Sequence, residues 1–290
     1  MRCSQKSGNC STASGAEPRV ARLSVRRCGA PLPHRIAMPF GKGNRAMTLV
    51  VLDVVVVLTP DLRRDALALG DRLIRRMRDQ GRSAHFRLGR PYGASGPCEP
   101  HVSVFMLTVD ENETADVVSA IRSVAVDLPV LPAEGDEYRH NPFGAPELYF
   151  RKTAKWIDLQ RSVIEAAEPL RRGRLRVTDP AGMRIRDLID DPSTAPQRRD
   201  QLIRFGYDEV TENWDAVGGP GDRFNPHVTL TWPVDSEFRV DLGDLPPARD
   251  FSGTLTELAV YGMSPYGTCT TLYGVVPLGS LAATAVTDEA

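Results

Sequence analysis

No stretch of this 290-residue chain is apolar over the ~18–20 positions needed to cross a bilayer. The longest candidate, Leu49 to Leu58, is strand-like and broken by Asp53. Cysteine is scarce. Cys3, Cys10 and Cys28 lie in the N-terminal segment, and only Cys98 and Cys269 remain in the body, so neither a disulfide framework nor metal-ligand spacing is present. No His/Asp/Glu cluster is spaced as metal ligands, and no Gly-Lys-Ser/Thr phosphate loop occurs. Excess positive charge is missing from the body as well. Residues 1–47 carry nine Lys/Arg and one acid, a net of +8, so the overall −1 leaves −9 for the rest. An acidic body excludes general DNA binding, which draws its affinity from neutralised phosphates. These absences leave a reducing, cytoplasmic compartment, no membrane partner, no metal and no cofactor as the expectations.

Histidine is scarce too, with five in the chain, and two of them stand in near-identical frames. Pro100-His101-Val102-Ser103 returns as Pro226-His227-Val228-Thr229, and each frame opens an apolar, β-prone run. On a strand, side chains two apart share a face. His101 and Ser103 therefore point one way and His227 and Thr229 likewise, while Val102 and Val228 point into a core. If the two copies face each other, two imidazoles and two hydroxyls converge on one cleft.

His-Val-Ser and His-Val-Thr on two strands resemble the signature of the two-histidine (2H) phosphoesterase superfamily, which includes the 2',5'-RNA ligase and cyclic nucleotide phosphodiesterase families. The likeness covers roughly Leu49 to Leu278 and is strongest at Phe224 to Leu230; at the first motif, Ser103 stands where Thr is more usual. It implies two lobes related by a pseudo-twofold axis, each giving one motif strand to a central cleft. It also implies a small nucleotide or RNA-end substrate.

The residue pattern alone reads as an α+β fold with antiparallel sheets and outer helices. Leu49–Leu58 is expected as a buried central strand, followed by a helix capped at Thr59-Pro60 and stopped at Gly81. A strand at His101–Leu107 and a helix over about Glu113–Ala125 come next. Pro129–Pro146 reads as loop with a short strand, and Thr153–Leu170 as a helix frayed by Pro169. Leu175–Val177 is a candidate short strand. Residues 179–221 read as a polar insertion beside the cleft with one helix near Ala195–Phe205. His227–Trp232 and Gly253–Met263 are expected as single strands, the latter in a hairpin with Thr268–Pro277 around Ser264–Gly267. Residues 1–46 lack periodicity. They are read as a basic disordered tail, or as sequence ahead of a true start at Met47, in preference to a transit peptide; residues 47–290 are then the working domain, expected as a monomer.

Histidine suits both proton roles of phosphodiester cleavage because its ordinary pKa of about 6.5 lies near cellular pH. One neutral imidazole takes a proton from the nucleophile and one imidazolium gives a proton to the leaving oxygen, while Ser103 and Thr229 donate to phosphoryl oxygens. Which histidine is base stays open at this level. Arg223 and Tyr92 are further substrate-binding candidates, with a solvated surface as the competing reading. For Tyr149, Trp232, Tyr261 and Tyr266 core packing is preferred to base stacking. Cys98 has nothing in sequence to activate it. The expected function is a metal-independent phosphoesterase acting on cyclic nucleotide phosphates or on 2',5'-linked or RNA-end phosphodiesters. A non-catalytic nucleotide or RNA-end binder, and a specialised-metabolism enzyme using the same cleft, are the alternatives.

Overall fold

The computed structural model describes residues 48–212 and 222–279. The N-terminal 46 residues and the Gly218–Gly221 end of the insertion lie outside them.

Strand β1 (Leu49–Val57) is the β-branched run, and it is central as its apolar composition requires. It is flanked by β3 (His101–Asp110) on one side and β9 (Glu257–Ser264) on the other, with β10 (Thr268–Pro277) outside β9. A second four-stranded sheet runs in the order β6 (His227–Thr229), β5 (Pro146–Phe150), β4 (Leu131–His140), β8 (Ser252–Leu255). A third, two-stranded sheet pairs β2 (Ala84–Arg87) with β7 (Thr231–Pro233). Every pairing among these strands is antiparallel. The mixed α+β class is therefore as expected, and each motif strand, β3 and β6, is the edge of its own sheet.

Five helices accompany the sheets among the described residues. Helix α1 (Pro60–Asp79) starts as anticipated, with Thr59 Oγ1 accepting from the Leu62 N–H, and buries Leu62, Ala66, Leu69, Leu73 and Met77 at helical spacing. Helix α2 (Thr114–Ala125) packs against β9 and β10, and α3 (Ala154–Arg171) packs against α2 and β3. Trp156 on α3 is fully buried between Phe150 and Phe224. Helices α4 (Ile185–Asp190) and α5 (Pro196–Phe205) close a small apolar cluster of their own around Ile185, Leu188 and Leu202. No helix among the described residues is long and apolar enough to cross a membrane.

Several boundaries differ from the sequence reading. Pro132, Gly135 and four acidic or basic residues made Leu131–His140 look like loop, yet it is a ten-residue strand. Its period-two burial at Leu131, Ala133 and Gly135 outweighs poor β-propensity, because β5 and β8 pair with it on both sides. At Gly135 the backbone runs so close to the 248–251 turn that a Cβ would overlap the Ala248 carbonyl oxygen. Gly135→Ala is accordingly expected to cost at least about 1–3 kcal/mol through overpacking, measurable as a lowered midpoint of chemical unfolding. Leu175–Val177 forms no strand; its neighbour Thr178 makes one isolated bridge to Arg184. Helix α3 continues two residues past Pro169 and ends at Arg172, whose φ is 50°. The expected strand at His227–Trp232 is split at Leu230, where the chain leaves β5 and joins β2. Gly253–Met263 is split in the same way, β8 going to the second sheet and β9 to the first.

Candidate active site

The proline in each motif sets the imidazole. Pro100 and Pro226 lack an N–H and hold φ near −65°, and in both frames the carbonyl two residues before the histidine meets its ring. His101 Nδ1 lies 2.6 Å from the Glu99 carbonyl oxygen, and His227 Nδ1 lies 2.7 Å from that of Asn225. A carbonyl can only accept, so each Nδ1 carries the proton and each Nε2 is the atom free for proton transfer. Val102 and Val228 anchor the frames from the other face. Both are buried, and each contributes about 1.5–3 kcal/mol to keeping the histidine turned away from the core.

Each half-site also contains a buried carboxylate that the sequence reading did not assign. Asp53 lies on β1 beside β3, and Ser103 Oγ donates to its Oδ2 at 2.7 Å. Glu147 lies on β5 directly opposite Thr229, whose Oγ1 donates to its Oε1 at 3.4 Å. The Nε2 of His101 is 3.7 Å from Asp53, and that of His227 is 3.7 Å from Glu147. An imidazole, a hydroxyl and a carboxylate thus recur as a set. Strands β3 and β6 pack beside each other, and the charge of His227 acts on His101. The chain resembles the two-histidine phosphoesterase superfamily.

Among solved structures, E. coli LigT complexed with NADP+ is 16% identical, with 79% of this chain and 98% of LigT covered at a TM-score of 0.44. A crystal structure described as a phosphoesterase is 15% identical over 79% of this chain and 99% of that one, at 0.43. Usb1 of Kluyveromyces marxianus is 17% identical over 80% and 97%, at 0.35. No family model and no curated protein matches the chain.

The two histidines of this two-histidine arrangement have opposite environments. Burial lowers the pKa of His101, and the charge of His227 lowers it further, against the Glu99 carbonyl. Burial acts downward on His227 as well, but the charges of Glu147 and Glu209 and the Asn225 carbonyl outweigh it and leave its pKa raised. Asp53, fully buried, is pushed up to about 7 by desolvation, with the Ser103 hydrogen bond opposing. Glu209 is also raised by burial.

The segment read as an insertion supplies more than a flank. The charge of Glu209 acts on His227, and just upstream the charge of Arg176 acts on Asp53, with Arg176 Nη1 donating to Sδ of Met106, the cross-strand partner of Asp53, at 3.1 Å. The Arg176 guanidinium is buried over the Tyr207 ring, and its Nη2 has no hydrogen-bond partner among the described residues. Tyr149 proves to be a site residue. Its ring stacks on His227 at 5.3 Å, Arg139 covers it at 4.8 Å, and its hydroxyl donates to Glu147.

The remaining candidates are dispersed. Arg223 is committed to Asp208, donating from Nε to its carbonyl at 2.5 Å. Tyr92 packs with Tyr266 and Trp232 in a separate apolar cluster. Trp232 is buried there, and Tyr266 stacks on His85. Cys98 is buried and its thiol is pushed up to about 11, which leaves it unionised near neutral pH.

The only sequence signals for the missed groups were weak. Asp53 interrupts an otherwise apolar strand, and Glu147 and Tyr149 alternate with Leu148 and Phe150 on a strand whose other face is core.

Proposed function

We propose that this protein is a two-histidine phosphodiesterase in which His101 is the general base and His227 the general acid. The observation that carries the reading is the opposed perturbation of two imidazoles on neighbouring strands, each with Nδ1–H held by a backbone carbonyl and Nε2 left for proton transfer. Pairs of titratable groups pushed apart by their surroundings mark a division into base and acid. Neutral His101 takes the proton of the attacking water or hydroxyl at Nε2. Protonated His227 delivers its Nε2 proton to the departing oxygen. The two imidazoles alone therefore supply both proton transfers. The two half-sites, related by a pseudo-twofold axis in a bilobal arrangement, would hold the phosphorus between them.

Ser103 and Thr229 are the donors to the non-bridging oxygens, and Asp53 controls the first of them. While Asp53 is ionised, Ser103 gives its proton to Oδ2. A carboxyl with a pKa of about 7 is readily protonated when a phosphodiester anion arrives. The hydrogen bond then reverses, Asp53 donates to Ser103 Oγ, and the Ser103 proton is free for the phosphoryl oxygen. Arg176, with one unpartnered nitrogen, is the cation that offsets the remaining charge. The Tyr149 ring is already engaged by His227 and Arg139, so base stacking is not assigned to it.

The substrate class follows the resemblance: nucleoside 2',3'-cyclic phosphates, or 2',5'-linked and RNA-end phosphodiesters. Small substrates of this kind also suit a chain whose body is acidic. The test is to incubate the protein with the four nucleoside 2',3'-cyclic phosphates in excess chelator and follow products by phosphorus NMR. Conversion to a single phosphomonoester isomer, absent in His101→Ala and His227→Ala, is expected. A folded wild type that converts none of the four, and opens no 2',5'-linked dinucleotide, sinks the reading and shifts weight to nucleotide binding without turnover.

A further inference from the structure

Asp53, His101 and Cys269 come from three strands, β1, β3 and β10, and bring three different donor atoms together. His101 Nε2 lies 3.5 Å from Cys269 Sγ, Cys269 Sγ lies 3.8 Å from Asp53 Oδ2, and Asp53 Oδ2 lies 3.7 Å from His101 Nε2. Around a tetrahedral zinc ion with ligands at 2.0–2.3 Å, neighbouring donors stand roughly 3.3–3.7 Å apart. The three atoms already approximate one face of that tetrahedron.

The surroundings are those of ligands rather than of packing. His101 donates Nδ1–H to a backbone carbonyl and so turns its Nε2 lone pair towards the other two atoms. Ser103 donates to Asp53 Oδ2. Such outer partners orient metal-ligating histidines and carboxylates. Asp53 is wholly buried, and its other oxygen, Oδ1, has no hydrogen-bond partner among the described residues, so the carboxylate carries an unmet acceptor. One sulfur, one imidazole nitrogen and one carboxylate oxygen form a borderline-soft set that suits Zn²⁺ or Co²⁺ and disfavours Mg²⁺ and Ca²⁺.

We propose that Asp53, His101 and Cys269 form a site for a zinc-class divalent ion, and that its occupancy silences the enzyme by taking the lone pair of His101 Nε2. The ion forms a bond to the sulfur as the S–H bond breaks, and the proton leaves to solvent, so binding strengthens as pH rises. The silencing rests on the base role given to His101 above; the binding itself does not.

Cobalt tests the site without turnover. The full chain, freed of metal by chelator, is titrated with Co²⁺ near neutral pH while the thiolate-to-cobalt charge-transfer absorption and the visible bands of four-coordinate cobalt are followed. One ion per chain is expected, with the charge-transfer band lost in Cys269→Ala, binding at least tenfold weaker in Asp53→Asn, and His227→Ala still binding. Absence of the band in folded wild type, or an undiminished band in Cys269→Ala, overturns the site. In the turnover arm, Zn²⁺ abolishes hydrolysis of a cyclic phosphate and chelator restores it; full activity in zinc-loaded protein overturns the silencing. If chelated wild type turns over no substrate at all, the phosphodiesterase reading fails, and the cobalt titration still decides the metal site.

Discussion

His101→Ala and His227→Ala are each expected to lower kcat/KM by about 10²–10⁴, the usual worth of a positioned general acid or base. They differ in which limb of the pH profile they remove. The base must be neutral, and His101 has its pKa lowered below the ordinary 6.5. The acid must be protonated, and His227 has its pKa raised above 6.5. The productive pair, neutral His101 with protonated His227, is therefore the dominant form in a window that straddles 6.5. Activity falls below that window as His101 gains a proton and above it as His227 loses one. His101→Ala should flatten the acid limb and His227→Ala the alkaline limb of kcat/KM against pH. The apparent values belong to the coupled pair, because each imidazole's charge acts on the other. The double variant should fall little below the weaker single variant, since the two residues act as a unit. Persistence of both limbs in both variants would refute the assignment.

Asp53→Asn exchanges activity for stability, and the sign depends on pH. The folded carboxyl is raised from 3.8 to about 7, so its full contribution is present below the unfolded value and is lost as pH rises through about 7. Holding it ionised in the fold costs about 4 kcal/mol at pH 8. The variant removes that cost but places an NH₂ where Oδ1 has no partner among the described residues, at about 1–3 kcal/mol. Above about pH 7 the variant should be more stable by about 1–3 kcal/mol, with Tm higher by about 2–4 °C per kcal/mol. At about pH 4 it should be the less stable protein. The two curves of Tm against pH therefore cross between those values, and parallel curves would show that burial of Asp53 is not strained. Activity moves the other way. The substituted amide cannot take up a proton, Ser103 stays bound to it, and KM rises. A strained group kept at a working site in this way is the usual form of the trade between stability and function.

What could be read along the chain was local. Val54, Val55 and Val56 in a β-branched run announce a central strand, Thr59-Pro60 announces α1, and Ser264–Gly267 announces the hairpin of β9 and β10. The strand break at Leu230 could not be read so. The Leu230 N–H bonds the Pro146 carbonyl, and the next residue pairs with β2, a partner far away in sequence. Leu131–His140 hid for the same reason: its residues have low strand propensity, and the neighbours that make it a strand, β5 and β8, are contributed by separate later segments of the chain.

The sequence by itself determined the His-x-Ser/Thr pairs, because two residues apart on a strand is one face, a matter of backbone geometry that no partner can change. It determined that Val102 and Val228 face the core, and that Pro100 and Pro226 precede the imidazoles. Only the tertiary structure sets the surroundings of the two histidines apart, the difference on which the proposed base and acid roles rest. Burial acts downward on both pKa values; the difference comes from Glu147 and Glu209, which outweigh it at His227, and from the His227 charge, which adds to it at His101, and electrostatic fields of this kind are set by distances between strands and loops that are remote in the chain. The meeting of Asp53, His101 and Cys269 has the same origin. No sequence spacing links the three: β1 and β3 are neighbours in the sheet, and Cys269 at the start of β10 reaches them through a bridge in which the N–H of Glu99, two residues before His101, donates to the Cys269 carbonyl.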